Sequence, residues 1–159
     1  MANIAFQTSI NSRKPWGVAG DFFDGNYNHM YPLTLIVKEY EEDDVLVEVG
    51  KFAWDNGDGT CSATGTGQPA GIVHRTMFIP ITDFASGATM NVPGRLACGI
   101  ADKCSIFINV SDTPKVGNKI FVNNTTGAIT NGAAGATVTG ATETSFRIIS
   151  RCRCACRRD

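Results

Sequence analysis

The sequence predicts an all-β chain: a β-barrel or β-sandwich of short antiparallel strands, with long loops and an extended N-terminal arm. Three observations carry this expectation. Charged residues make up only 18% of the 159 residues, while glycine occurs 17 times and threonine, valine, isoleucine and asparagine recur, a profile suited to many strands with turns between them. Apolar residues alternate with period two in short runs, and no segment sustains a 3.6-residue period. Turn-forming pairs, Asn-Gly and Asp-Gly above all, punctuate those runs. The length suits one unit or two small β subdomains, residues 1–82 and 83–150, followed by a Cys/Arg-rich tail at 151–159.

Taken in order, residues 1–6 form a short strand or a docking arm, and Ser12-Arg13-Lys14-Pro15-Trp16-Gly17 a turn. Val18-Ala19-Gly20-Asp21-Phe22 opens a loop through Asp24-Gly25-Asn26-Tyr27-Asn28-His29, whose mixture of turn formers and aromatics is common on contact surfaces. Residues 33–40 predict a strand with Leu33, Leu35 and Val37 on one face, and residues 45–52 a second, with Val45, Val47 and Val49 opposed to Glu48. Phe52 and Trp54, two apart, share one face. Asp55-Asn56-Gly57-Asp58-Gly59 reads as a hairpin turn. It resembles a calcium loop only superficially, since Trp54 and Gly65 stand at the first and twelfth ligand positions. A glycine-rich crossing leads to one or two strands over 71–81, broken by Pro80, and a weak seam follows at 82–86.

Residues 89–98 and 104–110 predict a strand pair joined by a loop at 99–103. A turn at 111–114, a strand at 119–122, a turn at 123–127 and a strand at 128–130 come next, and then a small, polar loop or edge at 132–140. Ser145-Phe146-Arg147-Ile148-Ile149-Ser150 closes the set with Phe146 and Ile148 on one face.

A net charge of −1 gives no electrostatic case for nucleic acid or membrane as partner, and no run reaches membrane-spanning length. The charge is segregated: Glu39, Glu41, Glu42, Asp43 and Asp44 cluster, and Arg147, Arg151, Arg153, Arg157 and Arg158 form a basic end. Solvated surface is the plain reading of both; pairing between subunits is the sharper one. The N-terminus lacks the apolar core of a signal peptide, so synthesis in a cytosol is expected, with the six cysteines as free thiols. Cys152, Cys154 and Cys156 alternate in an extended tail that reads as incidental, as a source of intermolecular disulfides, or as a soft-metal site. His29 and His74 lack partners at metal-ligand spacing, and there is no nucleophile elbow or phosphate loop. No catalytic constellation, metal site or cofactor is expected.

Several pieces taken together are similar to the structural cement, or capsid decoration, proteins of tailed bacteriophages. They are Phe6-Gln7-Thr8, Val18-Ala19-Gly20-Asp21-Phe22, Gly50-Lys51-Phe52-Ala53-Trp54 and Pro69-Ala70-Gly71-Ile72-Val73-His74-Arg75. Val92-Pro93-Gly94, Val116-Gly117-Asn118-Lys119-Ile120-Phe121-Val122 and Thr126-Gly127-Ala128-Ile129 continue the series in order, from about residue 4 to residue 150. The tail from Arg151 to Asp159 has no counterpart in it. The resemblance implies a non-enzymatic β protein on the outer surface of the virion, made in the bacterial host cytoplasm. It implies binding to the major capsid protein, bridging of capsomers against internal pressure, and assembly as a homotrimer. The residues expected to touch the shell or sister subunits are Phe6, Trp16, Phe22, Phe23, Tyr27, Tyr31, Trp54, His74 and Arg75, with a core role as the alternative for Trp54. Two other functions fit less of the chain: a head-fibre base or adhesin binding host glycan, and a small hydrolase or metalloprotein.

Overall fold

The computed structural model describes residues 17–23, 29–41, 44–76, 90–150 and 155–158; for His29 and 155–158 the description is of the backbone. The described residues contain no helix and build two sheets. The larger runs β1 (His29–Met30), β7 (Ile100–Lys103), β5 (Gly71–Val73), β3 (Phe52–Asp55), β4 (Thr60–Ser62), β2 (Leu35–Val37) and β6 (Ala97–Cys98). All its pairings are antiparallel except β2 with β4. The smaller is antiparallel throughout, in the order β10 (Ile129–Gly132), β9 (Lys119–Asn123), β11 (Ala141–Ser150), β12 (Ala155–Arg158), β8 (Ser105–Phe107). Neither sheet closes on itself, so the fold is a sandwich rather than a barrel.

The alternation of β3 explains how the layers stack. Phe52 and Trp54 face a core shared with Ile72, Ile106, Ile120, Val122, Phe146 and Ile148, which fills the space between the sheets. Phe52 meets Phe146 edge-on, centroids 5.6 Å apart. Ala53 faces the other way, into a second core of Leu35, Val37, Val47, Val49, Cys61, Val73, Val92 and Ile100 inside the curl of the larger sheet. Both cores, and the larger sheet itself, draw on residues from before and after the seam at 82–86, which lies outside the described residues.

The β3–β4 hairpin turns where expected. Asp55 Oδ1 accepts from Gly57 N at 2.8 Å, and Asp58 Oδ1 accepts from Thr60 N at 2.9 Å and Thr60 Oγ1 at 2.6 Å. Gly57 and Gly59 take φ of 80° and 85°, where a side chain would be strained. The carboxylates that suggested a calcium loop are thus occupied by the turn, and the Thr60 hydrogen bonds hold the Asp58 carboxyl below its usual range. Among the described residues no cluster of three histidine, cysteine or acidic side chains is placed to hold a metal.

Four expectations need correction. Residues 33–40 shrink to β2, with Leu33 59% exposed. Residues 45–51 keep their alternation, Val47 and Val49 buried and Val45 exposed, but form only the isolated bridge Glu48–Asn91, and the strand proper starts at Phe52. The presumed loop at 99–103 contains β7, because Ile100 and Ala101 each fill a core and even Asp102 is buried; β6 and β8 therefore belong to different sheets. Within the tail, Ala155–Arg158 is not a free extension but forms β12, paired between β11 and β8.

Of the cysteines, Cys61, Cys98 and Cys104 are buried free thiols. Burial pushes the Cys104 thiol up to about 12, and its hydrogen bond to Cys61 together with burial pushes Cys98 up, so these behave as small apolar side chains.

Candidate functional site

The segment 17–23 is a strap across the junction of the two sheets. Gly20 N donates to Phe107 O at 2.8 Å, Phe107 N to Asp21 O at 2.9 Å and Phe23 N to Ser105 O at 2.7 Å, so the strap pairs with the edge of β8 opposite the one β12 occupies. On its other side Arg75 N donates to Gly20 O at 2.8 Å, tying it to the chain just beyond β5. The approach is so close that a Cβ on Gly20, whose φ is +88°, would lie 2.3 Å from Val49 Cγ1.

This clamp gathers four of the residues singled out in the sequence. Phe22 stacks on His74, ring centroids 5.3 Å apart and planes inclined by 25°. Phe23 meets Phe107 edge-on at 5.5 Å and remains 45% exposed. Arg75 Nη1 lies 3.8 Å from Asp21 Oδ1. Both side chains are substantially exposed, so the pair contributes under about 1 kcal/mol and acts mainly to position the strap. His74 lies over Gly99, where a Cβ would come 2.4 Å from its Nε2. Its Nδ1 is 3.1 Å from the Arg75 carbonyl oxygen, which only accepts, so this nitrogen carries a proton in that contact.

Tyr31 and Trp54 go elsewhere. Tyr31 turns to the β3–β4 hairpin, its hydroxyl donating to Asp55 Oδ2 at 2.9 Å, and that hydrogen bond raises the phenol's pKa. Trp54 is 3% exposed, takes its place in the core and donates Nε1–H to Gly67 O at 3.2 Å. Gly65 packs against its ring so closely that a Cβ would sit 2.5 Å from Trp54 Cγ. Phe6, Trp16 and Tyr27 lie outside the described residues.

The structure adds exposed apolar residues that the sequence reading did not single out as contacts. Met30, Leu33 and Ile36 are exposed along the segment that leads into and through β2. A cleft of about 480 Å³ lies where Gln68–Pro69–Ala70 passes β11 at Thr144–Ser145–Phe146. There the β9–β11 ladder shifts register between Glu143 and Arg147. Two of its polar side chains hydrogen-bond to the backbone: Gln68 Nε2 donates to Glu143 O at 2.6 Å and Thr144 Oγ1 to Ile120 O at 2.9 Å.

Comparison with known proteins gives the family. The model of the family described as XM1 gp53 minor capsid protein matches residues 6–151. No curated protein matches the sequence. Among solved structures, a chain of the capsid of Myoviridae Phage XM1 is similar at a TM-score of 0.65, covering 98% of this chain and 97% of that chain. At 16% identity this likeness speaks for the fold alone. The family match leaves out only residues 1–5 and 152–159, and the chain belongs to the XM1 gp53 minor capsid protein family.

Proposed function

We propose that this chain is a cement, or decoration, protein of a tailed-bacteriophage capsid. It sits on the outer surface of the virion, binds the major capsid protein, bridges neighbouring capsomers and stabilises the shell, as a homo-oligomer with three-fold symmetry and with no enzymatic activity or cofactor. The observation that carries this reading is the family match over residues 6–151. The structure supports it by chemistry. A stiff two-core sandwich presents aromatic and apolar side chains at its rim, Phe23 at the strap and Met30, Leu33 and Ile36 beside β2. Contacts of this kind are individually weak but gain from the many symmetric copies on a shell. Residues 1–82, with the arm and the strap, supply the shell-facing side, and Phe22, Phe23, His74 and Arg75 are its contact residues.

Cosedimentation with capsids that lack the protein tests this, at rising protein concentration. Saturable binding at a fixed copy number per capsomer, with raised resistance to heat or osmotic shock, is expected. Protein that stays in the supernatant at every concentration would remove the cement reading, and a glycan screen would then address the adhesin alternative.

A further inference from the structure

The chain holds two Asn-Gly pairs, Asn56-Gly57 and Asn131-Gly132, and the fold sets them in different chemistry. Glycine leaves its backbone nitrogen unshielded by a side chain and lets the chain bend toward the preceding carboxamide. That nitrogen can close on the carboxamide carbon, displace ammonia and form a cyclic imide. Ring closure is helped by a base for the amide proton, a donor for the oxygen that gains charge, and access for water.

The β3–β4 turn supplies each of these around Asn56. Gly57 N donates to Asp55 Oδ1 at 2.8 Å, so the proton that must leave is already directed at a carboxylate. Tyr31 Oη donates to Asp55 Oδ2 at 2.9 Å and holds that carboxylate from its other oxygen. The Ser62 hydroxyl lies 2.9 Å from Asn56 Oδ1 and 2.8 Å from Thr64 O. It has one proton for two acceptors, and the carboxamide oxygen draws it as charge develops there. At the other end of the carboxamide, Nδ2 donates to Thr60 Oγ1 at 2.9 Å. Asn56 and Gly57 are exposed, and a Cβ on Gly57 would meet nothing within 4 Å, so water reaches the reacting atoms.

Asn131-Gly132 shares the dipeptide but not the setting. It lies in β10, where Gly132 stands opposite Lys119 and a Cβ on it would come 3.1 Å from Phe121 Cε2. The Asn131 carboxamide accepts from Asn118 Nδ2 at 2.7 Å and donates to Thr113 O at 3.3 Å, both neutral amide groups.

We propose that Asn56 is a site of self-catalysed deamidation in the folded chain. Asp55 takes the proton from Gly57 N, that nitrogen bonds to Asn56 Cγ, and the Cγ–Nδ2 bond breaks as ammonia leaves with the proton Asp55 received. Water then adds to one of the two imide carbonyl carbons flanking the nitrogen and breaks that carbon–nitrogen bond, leaving aspartate or isoaspartate at position 56. Nothing is oxidised or reduced. The product adds one negative charge, beside Asp55 and Asp58, to a chain whose net charge is −1. The isoaspartate form also lengthens the main chain at the hairpin tip. The change runs one way, so the charge at this tip records the age of the protein.

The test is peptide mapping by mass spectrometry of the full chain held at neutral pH. It reads residues 52–75 and 120–147, the tryptic pieces that carry the two pairs. Asn56 is expected to deamidate at least about tenfold faster than Asn131, and at least about tenfold faster than in the same chain unfolded in urea, as a positioned base requires. Asp55→Asn and Ser62→Ala should each bring the folded rate down toward the unfolded one. A pH profile separates chemistry from scaffolding. With the base built into the turn, the folded rate varies less with pH than the unfolded rate, which climbs with hydroxide, and Asp55→Asn restores the climb. Circular dichroism identifies a variant that fails to fold; if Asp55→Asn does so, Ser62→Ala and the parent's pH profile carry the test. A folded chain that deamidates at Asn56 no faster than the unfolded one would overturn the inference, and would make the turn a guard of its carboxamide. A folded rate that neither substitution moves would overturn it as well.

Discussion

Tyr40→Phe is the most informative single perturbation, because one hydroxyl joins segments that no extended ladder holds. It donates to Val92 O at 2.7 Å and accepts from Val47 N at 2.8 Å. Val47 and Val92 are both buried, so removal of the oxygen strips a partner from backbone groups with poor access to water. Two hydrogen bonds at roughly 1 kcal/mol each, plus part of the penalty for the orphaned groups, give an expected loss of about 2–3 kcal/mol. The ring itself still packs, so the variant tests the hydroxyl alone. Urea unfolding at neutral pH measures it as a lower midpoint at unchanged m. A second arm uses pH. Burial raises the Tyr40 phenol to about 12. Between pH about 10 and about 12 the unfolded chain therefore gives up this proton while the folded chain keeps it. The stabilisation is complete below about pH 10 and falls away as the pH rises to about 12. It amounts to on the order of 1 kcal/mol after allowance for the ring's partial exposure. Tyr31 is also raised, so the difference between parent and Tyr40→Phe isolates the Tyr40 share. A loss below about 0.5 kcal/mol at neutral pH, with the same alkaline limb in both proteins, would refute the clamp.

Three further outcomes follow from the same geometry. Gly65→Ala places a Cβ 2.5 Å from Trp54 Cγ and should cost about 1–3 kcal/mol, with a changed tryptophan emission spectrum reporting displacement of the ring. Truncation after Ser150 removes the strand between β11 and β8 and should cost at least about 2 kcal/mol, with hydrogen exchange protection lost at Ser105–Phe107 before the rest of the sandwich. Phe23→Ala removes an exposed ring whose described aromatic contact is Phe107; it should lower capsid occupancy about tenfold while changing folding stability by less than about 1 kcal/mol.

Local chemistry was legible wherever it was self-contained. Asn-Gly and Asp-Gly placed the β3–β4 turn, and period two placed Phe52 with Trp54 and Phe146 with Ile148 on core-facing sides. Pairing was less legible, because it depends on residues far apart in sequence. Nothing local marks β2 as the parallel partner of β4. Asp102 and Lys103 disguised β7, since a short strand buried at its start and charged at its end carries no alternation to read. The arginines of the tail read as solvent-facing, yet β12 contributes backbone hydrogen bonds, which any side chain permits. Phe22, Phe23, His74 and Arg75 were each singled out by residue type, but what unites them is the close approach at Gly20 and Gly99, a consequence of tertiary packing. Trp54 carried two readings, contact and core; in the folded chain it lies in the core.

The place of β12 also sets a schedule for synthesis. β8 is translated well before β12, and the strap that covers one of its edges precedes it in the chain, but its other edge waits for residues 155–158. At roughly 5–20 residues per second, translating the intervening stretch takes on the order of seconds, during which that edge of β8 has no partner strand. The second sheet is therefore assembled last. A chain interrupted before residues 155–158 keeps that edge of β8 open, and an open edge invites aggregation or proteolysis.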